Sequence, residues 1–131
     1  MHRPARLALR RRTETGRTLI LLACGTGAYN LSSVPILAQR TGGRLVTSIA
    51  PFDAQWGLES EGHPVLINGA WDPETRTLRE FSKGRGLGDC GTRAEYVWDG
   101  TSFRLVDQEE MPDCRGSLYY VTTWRADVVG R

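Results

Sequence analysis

Apolar residues in this chain come in short runs that turn residues keep interrupting, and that pattern decides most of what it can fold into. The runs cover residues 18–24, 33–39, 44–50, 64–68, 77–82, 94–98, 102–108 and 118–128, with Gly, Pro and Asp between them. No long window keeps a 3.6-residue period between helix caps. About eight short strands at such spacing specify an all-β fold, an antiparallel sandwich or a partly open barrel. A chain of 131 residues has room for about one domain and a modest core. No apolar stretch is long enough to make a membrane-spanning helix.

The firmest local unit is Ala94-Glu95-Tyr96-Val97-Trp98-Asp99-Gly100-Thr101-Ser102-Phe103-Arg104-Leu105. Asp99-Gly100 is a two-residue type I′ signal, because both central positions need positive φ. That turn places Trp98 opposite Thr101, Tyr96 opposite Phe103 and Glu95 opposite Arg104, an aromatic pair on one face and an ion pair on the other. A second hairpin is expected at Trp71-Asp72-Pro73-Glu74-Thr75. There Pro73 fixes φ and Asp72 supplies a side-chain acceptor.

Charge divides the chain. Residues 1–17 carry six arginines against Glu14, a net of +5, while residues 18–131 carry a net of −3. The expected organisation is a basic, disordered tail over 1–17 and a single antiparallel β domain over 18–131. Beyond Lys83 and Arg85 the body has no basic face, which argues against nucleic-acid binding. The segment Leu21-Leu22-Ala23-Cys24 after an Arg-rich start has the plan of a lipoprotein signal. Its apolar run of about six residues is shorter than the roughly 7–15 of a signal core, so it reads as a buried strand.

Few residues carry chemistry. Lys83-Gly84-Arg85-Gly86-Leu87-Gly88-Asp89-Cys90-Gly91 is the densest glycine cluster, and residues 86–91 match G-x-G-x-x-G. The helix that a dinucleotide fingerprint must open is missing, because the cluster runs into a strand. Two readings remain: a Gly-shaped β-connection, or an anion or ligand loop using Lys83, Arg85, Gly86, Gly88 and Asp89. Cys90 and Cys114 flank the hairpin, whose ends must approach. Three cysteines still allow three pairs, so the pairing stays open on these grounds. Neither zinc spacing nor an oriented Cys–His pair is present, so no metal, cofactor or catalytic residue is assigned. His63 is the one candidate base for Cys24 or Ser60, but it reads as part of an exposed loop where nothing orients it. Asp107, Glu109, Glu110 and Asp113 read as a solvated acidic face. Trp56, Trp71, Trp98 and Trp124 read as packing at the rim of the core.

Four ordered segments, Cys24-Gly25-Thr26-Gly27-Ala28-Tyr29-Asn30, Lys83 to Gly91, Tyr96 to Phe103, and Met111-Pro112-Asp113-Cys114-Arg115-Gly116, resemble the C-terminal part of a bacterial family called domain of unknown function 1176. The resemblance covers about residues 18–127. It implies a secreted or periplasmic protein with disulfides, and members longer than this chain with a further N-terminal region. It implies no activity. With it, the expected pairing is Cys90–Cys114, and Cys24 is left unpaired or paired to sequence upstream. The expected function is a non-catalytic, extracytoplasmic module that binds an envelope protein or glycan. The alternatives are a small hydrolase using loop 84–91 with nearby carboxylates, or a structural half of a longer protein.

Overall fold

The computed structural model describes residues 9–12 and 16–129. Among these, the strands are β1 (Leu9–Arg12), β2 (Thr18–Thr26), β3 (Leu31–Thr41), β4 (Arg44–Ile49), β5 (Leu66–Ile67), β6 (Ala70–Asp72), β7 (Thr77–Lys83), β8 (Gly91–Trp98), β9 (Phe103–Met111) and β10 (Val121–Arg125). One short helix, Trp56–Ser60, lies between β4 and β5. The expected antiparallel all-β architecture is present. It takes the sandwich-like form of two open sheets. The first has the order β1-β2-β3-β4, with β5 also on β3. The second is the meander β10-β9-β8-β7-β6. No helix among the described residues is long and apolar enough to cross a membrane.

The segment expected to be a signal core or a strand is β2, paired on both edges. Its burial alternates, with Leu19, Leu21 and Ala23 inward, as a half-buried strand requires. Cys24 is the extra residue of a bulge, since Ala23 pairs with Ser33 and Gly25 with Ser32. Most of the expected tail lies outside the described residues, but Leu9–Arg12 pair antiparallel with Thr18–Leu21.

The sheets share one core. Leu19, Leu21, Leu37 and Leu66 come from the first sheet, and Trp71, Leu78, Tyr96, Trp98 and Phe103 from the second. Phe52, on the connection after β4, stacks on Phe103 at 4.9 Å and meets Tyr96 edge-on at 5.0 Å. Trp98 lies 4.9 Å from Phe103. Such aromatic contacts add about 0.5–1.5 kcal/mol each beyond the area they bury.

The hairpin register differs from the expected one. Trp98 pairs with Phe103, Val97 with Arg104 and Tyr96 with Leu105. The turn has moved one residue along the chain. The Asp99 carboxylate accepts from the Thr101 and Ser102 N–H groups, both at 2.8 Å. The Asp99 N–H donates to the Ser102 carbonyl at 3.0 Å. Only Gly100 takes positive φ, so Asp99 is the acceptor that closes the turn and not one of its two central residues. From Trp98 to Tyr96 the pairing shifts by two residues, which keeps those side chains on their expected face, and a bulge between Tyr96 and Glu95 moves it by one more. Arg104 therefore pairs with Asp99 at 2.7 Å instead of with Glu95. Asp72 behaves as expected at the other hairpin, accepting from the Glu74 N–H at 3.0 Å.

The expected strand 64–68 is a crossing between sheets. Leu66–Ile67 pair with β3, and Ala70–Asp72 pair with β7. Asn68 makes the corner in the left-handed region, at φ 52°. Its amide is spent on both sheets. It donates to the Phe81 carbonyl at 2.8 Å and to the Asn30 side chain at 2.9 Å, and accepts from the Leu31 N–H at 3.0 Å. Asn30 in turn brackets Lys83, donating to its carbonyl and accepting from its N–H. Asn tolerates this backbone conformation and satisfies polar groups that a bare corner would leave unpaired. Asn68→Ala should lower stability by about 1–3 kcal/mol in urea denaturation. Asn68→Gly, which keeps the φ but not the bonds, should recover only part of it.

Candidate functional site

Loop 84–91 and the chain around Cys114 form one closed structure. The disulfide Cys90–Cys114 is present, with Cα atoms 4.7 Å apart. Gly91 sits at φ 132°, where a Cβ would lie 2.0 Å from the Ser82 carbonyl oxygen, and a Cβ on Gly84 would lie 2.7 Å from Cys90 Sγ. Both glycines are therefore dictated by close packing. The loop's polar groups are turned on one another. Gly84 N–H donates to the Cys90 carbonyl and Gly88 N–H to the Arg85 carbonyl. Asp89 is fully buried. It is held by both arms of the Arg85 guanidinium and by the Gly116 N–H at 2.7 Å. The Arg85 contact holds its carboxyl down at about 2. Tyr29 and Tyr120 hydroxyls donate to the Gly84 and Gly88 carbonyls. Lys83 lies over the Phe81 ring, and Gly86 is the most open of the glycines in the cluster, 3.8 Å from Tyr29 when given a Cβ.

The other sequence candidates lie apart from this loop. Cys24 is a half-buried free thiol. His63 Nδ1 is 3.1 Å from the carbonyl of its neighbour Pro64, and Ser60 donates to the Trp56 carbonyl. Of the acidic residues after β8, Asp107 pairs with Arg125, Glu109 with Arg93 and Asp113 with Arg115. The tryptophans divide. Trp71 and Trp98 are core, but Trp56 and Trp124 are about half exposed, so the packing expectation fails for those two.

The open side of the sandwich holds a cleft of about 370 Å³ between the inner face of the second sheet and residues 53–59. That volume lies within the usual range for small-ligand sites. Ala54, Leu58, Ala94 and Leu105 give it apolar walls, while Trp56, Asp53 and Glu59 stand at its rim. Inside lies a polar cluster that sequence reasoning missed. Glu80 is 6% exposed. Its carboxylate accepts from Tyr96 Oη at 2.6 Å, Gln55 Nε2 at 3.2 Å and the Ile67 N–H at 3.2 Å. All three donors are neutral. Burial without a cation pushes the Glu80 carboxyl above its usual range, partly offset by these bonds. Burial and the neighbouring carboxylate push the Tyr96 hydroxyl up as well.

Gln55 fixes the lip of the cleft. It is the N-cap of the short helix, accepting from the Gly57 and Val65 N–H groups. Gly57 is obligatory, because a Cβ there would lie 2.6 Å from Val65 N. A signal for Glu80 exists in Leu78-Arg79-Glu80. Strand alternation turns residues 78 and 80 to one face, and Leu78 marks that face as inward.

The family model described as "Protein of unknown function (DUF1176)" matches residues 3–127. The chain belongs to this family. It is also 35% identical, over 114 residues, to a protein of Escherichia coli (strain K12) named "Uncharacterized protein YpfG". That alignment covers 82% of this chain and 32% of the relative, so the chain spans about a third of this relative's length. No solved structure matches.

Two stability measurements check the site. Replacing Cys90 and Cys114 together by Ser should cost about 3 kcal/mol in urea denaturation, from the freed loop of 24 residues. Glu80 has a folded value raised above its ordinary 4.5. Its contribution is therefore fully present below that value and is lost as pH rises through the folded one. Wild type should gain on Glu80→Gln steadily as pH is lowered from about 8 towards the ordinary carboxylate range.

Proposed function

We propose that this DUF1176 chain is an extracytoplasmic, non-catalytic binding module of the bacterial cell envelope, taking a protein or glycan in the cleft beside Trp56. One observation carries the reading. A half-exposed indole stands over a cleft whose inner polar groups are already held by one another. An aromatic surface beside fixed polar groups suits recognition, since little is lost in ordering it. The disulfide fits an oxidising compartment. A hydrolase built on loop 84–91 would need a carboxylate free to move a proton. Asp89 is buried and bonded through both oxygens, which favours binding over catalysis there.

The test is calorimetric titration with soluble peptidoglycan fragments and with peptides from envelope proteins, run beside assays for their cleavage. Wild type should bind one class without cleaving it. Trp56→Ala should weaken that binding by about tenfold or more at an unchanged melting temperature. Cleavage of any of these ligands, or equal affinity in Trp56→Ala, would contradict the reading.

A further inference from the structure

We infer that the cleft is shaped for a basic side chain, lysine or arginine, presented by a partner protein, with Glu80 as its counter-ion. This deepens the binding reading and rests on it. The geometry is that of a pocket with apolar walls and an acidic interior. Ala54, Leu58, Ala94 and Leu105 line the walls, and Glu80 lies within. A long aliphatic stem ending in a cation matches that arrangement, because the stem buries against carbon while the charge meets the carboxylate.

Glu80 lacks what such a ligand supplies. A buried carboxylate is costly unless a positive charge compensates it. Its three partners, Tyr96 from β8, Gln55 from the helix cap and the Ile67 N–H from β5, are all neutral donors. The charged groups elsewhere around the cleft do not fill the gap. Arg93, at its edge, lies over the Tyr120 ring at 3.9 Å and the Phe81 ring at 4.7 Å, and 3.6 Å from Glu109. Arg104 is paired with Asp99 at 2.7 Å and lies 4.0 Å from Asp53. At the rim, Glu59 adds further negative charge, while Asp53 faces Arg104 and accepts from the Leu105 N–H at 2.9 Å. Trp56 lines the cleft and is half exposed, and an aromatic ring within reach of an entering cation favours it.

The favoured ligand class is a protein side chain rather than an amino sugar, because four apolar wall residues complement a methylene stem better than a ring of hydroxyls. The probes are short capped peptides: one centred on lysine, one on arginine, one on norleucine, with glucosamine as the sugar control. Binding is followed by nuclear magnetic resonance shifts of the cleft residues up to about 10 mM, a range that resolves weak affinities.

The lysine or arginine peptide should bind at least about tenfold more tightly than the norleucine peptide, a difference worth about 1.4 kcal/mol. That preference should vanish in Glu80→Gln. If that variant is poorly folded, wild-type calorimetry in two buffers of different ionisation enthalpy decides. Binding of the cation should release protons near the Glu80 midpoint, and no release would overturn the inference. Equal binding of lysine and norleucine peptides, a preference for glucosamine, or no shifts at all would also overturn it. In the first two outcomes the cleft remains a binding site. Cleavage of a probe would instead overturn the binding reading itself.

Discussion

The buried carboxylate of Glu80 ties together three parts of the molecule at one point, between the sheets and the short helix. Through Tyr96 it is bonded across the second sheet, through the Ile67 N–H to the first, and through Gln55 to the cap of the short helix. It does so without a cation. A buried charge held by neutral donors is a costly arrangement, and Glu80 lines an open cleft. The same bonds that hold the lip of the cleft leave the carboxylate short of positive charge.

The rest of the structure keeps that cleft in place. At the crossing between sheets, Asn68 and Asn30 join Leu31, Phe81 and Lys83. The sheets are thereby fixed where the chain passes from one to the other. Beyond Lys83, the disulfide, Gly84, Gly91 and the Arg85–Asp89 pair close the β7–β8 connection into a stiff knot. The knot also anchors residues 116–120, through the Gly116 N–H and the Tyr120 hydroxyl. The aromatic core around Phe103 fills the space between the sheets next to the cleft, with Tyr96 belonging to both. Residues 53–59, the lip of the cleft, lie on the connection between β4 and β5 and are held there by Gln55.

Much of the fold was legible in the sequence, and each departure has a physical cause. Short runs and turn residues gave the antiparallel strands. Asp72-Pro73 gave a hairpin, and the flanking positions of Cys90 and Cys114 made their pairing reasonable. The Asp99-Gly100 register slipped because a dipeptide signal does not say whether the Asp is inside the turn or closes it with its side chain. Segment 64–68 looked like one strand because a left-handed Asn corner leaves little trace beyond Asn-Gly. Trp56 and Trp124 stand half exposed because one opens the short helix and the other lies on the edge strand β10, placements that no local pattern reports. Glu80 was hidden for the opposite reason. Its inward position could be read from strand alternation beside Leu78, but its partners come from residues 55, 67 and 96, contacts that exist only after folding.

The most direct measurement is the titration of the Glu80 side-chain carboxyl by carbon nuclear magnetic resonance. Its midpoint should lie above the ordinary value of 4.5 in the free protein and move back down when a lysine-bearing peptide occupies the cleft. A midpoint at or below the ordinary value in the free protein would contradict the account, because a carboxylate already so favoured has no need of a cation.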